Sequence, residues 1–430
     1  MQSLRSTALA LAVCCAVASL ASATVLRVPQ DHARITDALN LTLFGDTVRV
    51  AAGTYSAAAN GETFPLALTR AGVVLEGAGM GLSVLDAAQA ASVVRCAAVN
   101  VRVSGFTITG GRDSLGAGVR VESGNAQVDH NLVIDNAAVL RGSGIYAAPG
   151  STPWIHHDVV WRSTDALPAS AGDPHGIQLT ASNALVEFNT VGRGDSNGLI
   201  AEGGAEPVIR SNIFFENGSA TLNRGRGICA LGGPATVIRN NVFYGNHIAA
   251  ILIISGSAMD LTAQQADAFS PSDGILENLD ASPAFLDANA ADVHLTPGSP
   301  AIDGGYAGSP LDPDGTRADA GAIYFDQAVT NAGGGPDDAR GLRLSVAPNP
   351  FRGATQLAFT LARPGMVRLA VYGASGQRVR GLIEGEFAAG PHQVGFDGRD
   401  ERGARLAGGV YFVRLEVEGG ASVQKLLLVP

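Results

Sequence analysis

Lysine is almost absent from this sequence. Lys425 is the single one among 29 basic residues, and the formal charge is −10. An acidic chain without a basic run has no electrostatic footprint for nucleic acid. A catalytic lysine is excluded everywhere before position 425. Aromatics are scarce, at 6%, whereas glycine is abundant, at 55 residues, a balance that suits short strands joined by tight turns. No apolar run is long enough to cross a bilayer comfortably. The longest candidate, Leu9 to Leu20, follows Arg5 and precedes the small-x-small site Ala21-Ser22-Ala23, so residues 1–23 read as a secretory signal peptide. Val13 before Cys14 and Cys15 does not suit a lipoprotein, and cleavage before Thr24 leaves two cysteines, Cys96 and Cys229.

A short phrase recurs in what remains: Gly118-Val119, Gly144-Ile145, Gly176-Ile177, Gly198-Leu199, Gly227-Ile228 and a weaker Ala250-Ile251. Each complete phrase is followed 13 or 14 residues later by an amide or acid in an apolar run: Asn131, Asp158, Asn189, Asn212 and Asn241. An earlier turn, VRVSGFTI, places Gly105 in the same column. A repeat of this period signals a solenoid, and its alternating apolar positions are strand-like. One coil cannot bury its own apolar face, but stacked coils can. A column of asparagines at the bends can form a ladder of amide hydrogen bonds. In this frame Cys96 and Cys229 lie about five coils apart, or ~24 Å, too far for a disulfide.

The pattern resembles the right-handed parallel β-helix repeats (PbH1) of the pectin-lyase-like superfamily over about two thirds of the chain. The expected architecture is all-β. A β-helix with an N-terminal cap spans 24–325, a Gly-rich linker 326–341 and an Ig-like β-sandwich 342–430. In the cap, a short helix is expected with Ile35, Ala38, Leu39 and Thr42 on its inner side, then a strand from Thr47 to Val50. Met259 to Asp273 reads as a loop or short helix interrupting the stack. The tail resembles FlgD-type Ig-like domains and the C-terminal sorting domains of type IX secretion. Pro348-Asn349-Pro350, Tyr372 with Gly376, Phe396-Asp397-Gly398 and Gly409-Val410-Tyr411 carry that likeness, and Phe396 stands where such domains usually have Trp. The likeness implies export to the cell surface or medium, with the secretion machinery as partner.

The distance from Gly to Asn hardly changes, whereas that from Asn to the next Gly runs from 9 to 18 residues. All insertions therefore leave one corner of the coil and form a ridge of loops, a common place for a binding face. The ridge holds Asp135, Arg141, Arg162, Asp165, Asp173, His175, Arg193, Asp195, Glu216, Asn223, Arg224, Arg226 and His247. Arginines among carboxylates suit a polysaccharide, in particular an acidic one. Tyr146, Arg162, Asp195, Glu216 and Arg226 are the expected sugar contacts; of the aromatics that can stack on a sugar ring, Tyr146, Trp154 and Trp161, Tyr146 is the better candidate. Trp161 is at least as well explained by packing.

Family chemistry is an alternative. Lyases on this fold use an arginine or lysine base beside Ca²⁺, and C5-epimerases of alginate carry Asp-Pro-His, which Asp173-Pro174-His175 matches. The catalytic set would be Asp173, His175, Arg193 and Arg224. Polygalacturonase chemistry is disfavoured, since Asn189-Thr190-Val191 lacks the Asp that would complete a carboxylate pair. Asp312, Asp314 and Asp319 are candidate Ca²⁺ ligands, or members of a plain Asp/Gly turn, because the spacing is not that of an EF-hand. His156 and His157 adjoin in sequence and are expected on opposite faces. A third alternative is a structural or adhesive surface protein without a sugar site.

Overall fold

The computed structural model describes residues 23–166, 175–220, 224–231, 233, 235–255, 257–269 and 274–327, then 343–347, 349, 351–361, 364–373, 377–388, 390–417 and 420–429. Residues 1–22 of the expected signal peptide, Asp173-Pro174, Asn223, most of the Gly-rich linker, Pro348, Pro350 and Gly376 lie outside the described residues. The chain divides into two compact units, Met1–Phe325 and Asp326–Pro430.

The first unit is a parallel solenoid. Each coil gives one short strand to each of three sheets. Sheet A stacks ten strands from Val25–Val28 to Ile275–Leu276, and sheet B nine from Gly53–Ser56 to Leu279–Asp280. Sheet C stacks Leu66–Leu68 through Ala249–Ser255, and Ser257–Leu261 ends it by folding back antiparallel. From Gly118 to Gly227 the recurring Gly leads into the sheet C strand for a steric reason, whereas Pro65, Val93 and Ala250 hold that place in the other coils. A Cβ on Gly118 or Gly144 would lie 2.5 Å from the carbonyl oxygen of the next glycine in the column, and on Gly176 it would lie 2.7 Å from that of Gly198. The column ends at Ala250, whose strand meets only the antiparallel return above it.

Sheet A turns into sheet B through a one-residue left-handed bend occupied by Gly105, His130, His157, Phe188, Ser211, Asn240 and Glu277. Gly105 therefore belongs to the bend, and Phe106 stands in the asparagine column, since Leu132 pairs with Thr107. The ladder itself is continuous. Phe106 N–H donates to Asn131 Oδ1, and the Nδ2 groups of Asn189, Asn212 and Asn241 donate to the next oxygen up, at 3.0, 3.0 and 3.1 Å. It ends at Asn278, which donates to Asp267. A second ladder runs five residues later. Asn217 Nδ2 donates to Asn246 Oδ1, and Asn136 Oδ1 accepts from Gly111 N–H.

Both ends of the apolar stack are covered. The helix Ile35–Leu41 buries Ile35, Ala38 and Leu39. Its first N–H groups are capped by the distant carboxylate of Glu62, at 2.6 and 3.1 Å. At the other end the helix Ala263–Phe269 closes the core with Ala263 and Ala266. Thr262 and Gln265 satisfy each other's backbone N–H at its start. This segment caps the stack, and the strands at 275–276 and 279–280 resume pairing beneath it.

Residues 285–325 then lie against the outside of sheet B. Val293, Leu295, Ala301, Ala320 and Ala322 pack on Val159, Trp161, Ile213, Phe215 and Val242. Trp161 is wholly buried there, in space left by Gly192 on the next coil. Cys96 and Cys229 are buried thiols outside any disulfide, one in the core and one on the outside of sheet C with Ile200 and Leu252.

The second unit pairs a three-stranded with a four-stranded antiparallel sheet. Leu357, Phe359, Val367, Leu369, Val413, Leu415 and Leu426 alternate inward to make its core. Phe396 fills the expected aromatic position and packs on Phe351 at 5.9 Å.

Candidate functional site

The middle residue of each sheet C strand points outward, because its neighbours point into the core. Register gives the column Ala67, Arg95, Arg120, Tyr146, Gln178, Ile200, Cys229 and Leu252. It is charged at the first coils and apolar at the last. Arg95 and Arg120, one coil apart, share the single carboxylate of Glu122, at 3.6 and 3.3 Å. Two guanidinium groups against one carboxylate leave one positive charge unbalanced locally. Tyr146 above them is wedged rather than free. It is 5% exposed, and Cβ atoms on Gly116 and Gly142 would lie 3.1 and 2.8 Å from its own. Glu202 closes over the next coils, accepting from Arg141, from Gln178 at 3.0 Å and from Thr180 at 3.2 Å.

The loop residues divide between two faces. On the sheet C side, His175 is 2% exposed, with Nδ1 3.1 Å from Ser196 Oγ and 3.4 Å from Asn197 Nδ2. Arg224 pairs with Asp165 at 3.3 Å and Arg226 with Asp260. Asp195 is half-buried, its N–H donating to Ser163 O at 3.0 Å. On the sheet B side, left-handed positions carry Asp135, Arg162, Arg193 and Glu216. Arg162 makes a two-pronged contact with Asp135 at 2.7 and 2.6 Å. Arg193 bonds Glu216 at 2.9 Å, Ala288 O at 3.2 Å and Asn289 Oδ1 at 2.7 Å, and so clamps the closing segment. Arg193 and Glu216 are thus not gathered with His175 and Arg224. The single ridge expected from loop lengths is two sets of ion pairs on different sheets. The insertions also form a small sheet of their own, Arg112–Leu115, Ala137–Arg141 and Thr164–Asp165.

The candidate calcium ligands act as turn acceptors. Asp312 Oδ2 accepts from Asp319 N–H at 2.9 Å, and Asp314 Oδ1 from Thr316 N–H at 3.0 Å. Both oxygens of Asp319 are used, by Asp303 N–H and Phe325 N–H at 2.7 and 2.6 Å. Burial, helped by the neighbouring carboxylates, raises the Asp312 carboxyl to about 6. Among the described residues no three His, Cys, Asp or Glu side chains converge as metal ligands.

Sheet A carries a cluster in which Arg102, Asp129 and Glu187, which lie outside the loop ridge, join Trp154 and the histidines that flank the ladder. Asp129, fully buried, accepts from Arg102 at 2.7 and 2.6 Å, from Ser104 at 2.9 Å, and meets His130 at 2.9 Å. His156 and His157 do not point to opposite faces: their Nδ1 atoms are 2.9 Å apart. The left-handed φ at His157 breaks the strand alternation and brings the second ring round beside the first. Burial holds His156 down at about 4 and His157 at about 3. Trp154 stacks on His156 at 4.0 Å and its indole N–H donates to Glu187 at 3.0 Å. The triplet Trp-Ile-His, with alternation read as facing outward, was the available signal.

Comparison with known proteins agrees with this architecture. The family described as "Right handed beta helix region" matches residues 100–266, and "FlgD Ig-like domain" matches 347–421. The chain therefore carries a right-handed β-helix region followed by an FlgD Ig-like domain. No curated protein matches the chain. Among solved structures, dimeric latent PorU from Porphyromonas gingivalis is 21% identical over 20% of this chain and 9% of its own, with a TM-score of 0.19. Pectate lyase Pel9A is 15% identical over 70% and 96%, with a TM-score of 0.45. A mannuronic acid specific family 6 lyase from human gut microbiota is 14% identical over 51% and 54%, with a TM-score of 0.37. The chain spans about a tenth of PorU and of PorZ, a surface component of the type-IX secretion system of the same bacterium.

Proposed function

We propose that this is an exported solenoid that binds acidic polysaccharide on the outside of sheet C without processing it. The observation that carries the reading is the pair Arg95 and Arg120, stacked on adjacent strands and sharing Glu122 as their one carboxylate among the described residues. Guanidinium forks match carboxylates, and a second carboxylate supplied by a uronate balances the site. The strip is local, because the chain as a whole is acidic. Binding is therefore expected to weaken steeply with salt. The FlgD Ig-like domain and the N-terminal leader pattern support export, with the secretion machinery as partner of the C-terminal unit.

A lyase or epimerase using the same face has less support. His175 is buried against Ser196 and Asn197, and the charges of Arg141, Arg224 and Arg226 are each matched by a carboxylate. Affinity electrophoresis through gels containing polygalacturonate or alginate tests the reading. The expected result is retardation that is lost, by about tenfold or more in affinity, in the Arg95→Ala/Arg120→Ala double variant. Equal retardation of wild type and variant refutes the site. No retardation in either gel favours a structural or adhesive role.

A further inference from the structure

Of the three long faces of the solenoid, sheet A offers the most open platform. Sheet B lies beneath residues 285–325, and the outward column of sheet C is buried from Tyr146 onward. The corresponding column on sheet A reads Arg102, Gln127, Trp154 and Leu185. Trp154 is 41% exposed, and the side chains of Arg102 and His130 are 40% and 54% exposed. Beneath these three accessible groups lie three buried polar ones, Asp129, His156 and Glu187.

Each buried group fixes an exposed one. His156 stacks under the Trp154 ring, and Glu187 anchors its indole N–H. Asp129 holds both the Arg102 fork and His130 Nδ1. The histidines are ordered in turn: Gln127 Nε2 lies 2.9 Å from His156 Nε2, and His130 is stacked parallel on His157 at 4.9 Å. With the Gln127 amide donating, His156 carries its proton on Nδ1 and passes a hydrogen bond to His157. What remains accessible is a flat aromatic ring with its orientation locked, flanked by Arg102 Nη1 and His130 Nε2. The upper end of the strip is Arg210, bonded to Glu187 at 2.7 Å and lying over the Tyr306 ring at 4.7 Å.

We propose that this face of sheet A is a second binding site, which takes the pyranose rings of an uncharged polysaccharide, one ring stacking on Trp154 and hydroxyls along the sugar chain bonded by Arg102 and His130. An indole with one end in a polar frame suits a ring with an apolar face and polar edges. The charge balance selects an uncharged ligand: Arg102 is matched by Asp129 and Arg210 by Glu187. Successive coils lie about 4.8 Å apart, so Arg102 and Trp154, two coils apart, are separated by roughly 10 Å, room for more than one sugar unit. The site is distinct from the arginine strip of sheet C and does not depend on it.

Fluorescence on the full chain tests the proposal. Trp161 is fully buried, so acrylamide quenching reports on Trp154. The probes are cellohexaose, xylohexaose, mannohexaose and laminarihexaose, with hexagalacturonate as the charged control. The expected result is protection of Trp154 by at least one neutral hexasaccharide at about 10 mM or below. Affinity measured calorimetrically should fall about tenfold or more in Trp154→Ala, while Trp154→Phe, which keeps a ring, stays within about fivefold of wild type. The Arg95→Ala/Arg120→Ala variant should bind the neutral probe as wild type does. Failure of all four neutral probes to protect, protection by hexagalacturonate alone, or undiminished affinity in Trp154→Ala would each overturn the proposal.

Discussion

Replacing Asp158 by Asn should stabilise the solenoid, and more so as pH rises. Asp158 stands in the middle of the asparagine ladder, completely buried. Its Oδ1 plays the expected part, accepting from Asn131 N–H at 2.8 Å and from Asn131 Nδ2 at 2.9 Å. Its Oδ2 has no hydrogen-bond partner among the described residues. The reason is visible in its neighbour. Asn189 Nδ2 donates to three acceptors, Asn212 Oδ1, Ile155 O and Glu187 O, at 2.9–3.0 Å. An oxygen in the equivalent place faces acceptors alone. Burial, with the nearby Asp129 carboxylate, therefore holds the Asp158 carboxyl well above the usual carboxylate range. The sign follows: a group whose folded pKa is raised gives stability that is fully present below its unfolded pKa, about 3.9, and is lost as pH rises through the folded value. Asn in its place restores donors to a buried position where an unmet group costs about 1–3 kcal/mol. Thermal melts followed by circular dichroism should show Asp158→Asn raising Tm by several degrees near neutral pH, the gain shrinking toward about pH 4. A lower Tm for the variant, or a gain that does not change with pH, would refute the reasoning.

Other perturbations probe different parts of the structure. Gly176→Ala places a Cβ 2.7 Å from Gly198 O and 2.8 Å from Val191 Cγ1. It should lower stability by about 1–3 kcal/mol in denaturant titration. His156 and His157 titrate in the opposite sense to Asp158. Their folded pKa values are depressed, so stability should fall as pH drops below about 6.5, by about 1–3 kcal/mol in total after solvent screening. His157→Phe, which repeats the ring that Phe188 places in the same bend column, should flatten that limb of the pH profile. Deleting residues 342–430 should leave the solenoid folded but absent from the cell surface and the medium, as cell fractionation would show.

The fold was legible because its two signals answer physical demands that recur in most coils. The glycine must admit the carbonyl of the next coil, and the asparagine must satisfy the bend, so both recur at a fixed offset. Where one requirement is met differently the reading slipped. Gly105 serves the left-handed bend, and Phe106 takes the ladder position without an amide. The second ladder was equally available, since Asn136, Asn217 and Asn246 each follow a first-ladder residue by five. The candidate site was less legible because pairing between loop charges is tertiary. Sequence shows Arg193 and Arg224 as ridge residues, but not that Asn289 holds one and Asp165 the other. The outward columns of the strands, Arg95 with Arg120 and Trp154 with His156, follow from alternation once strand positions are fixed.

On the function proposed above, sheet C binds an acidic polysaccharide through Arg95 and Arg120 and leaves it intact. Calorimetric titration of the full chain with polygalacturonate and with alginate, each sample then read for absorbance from unsaturated uronates, tests both halves at once. The expected result is saturable heat with one of the two polymers, abolished in Arg95→Ala/Arg120→Ala, and no rise in absorbance. Rising absorbance, or heat unchanged in the double variant, would contradict it.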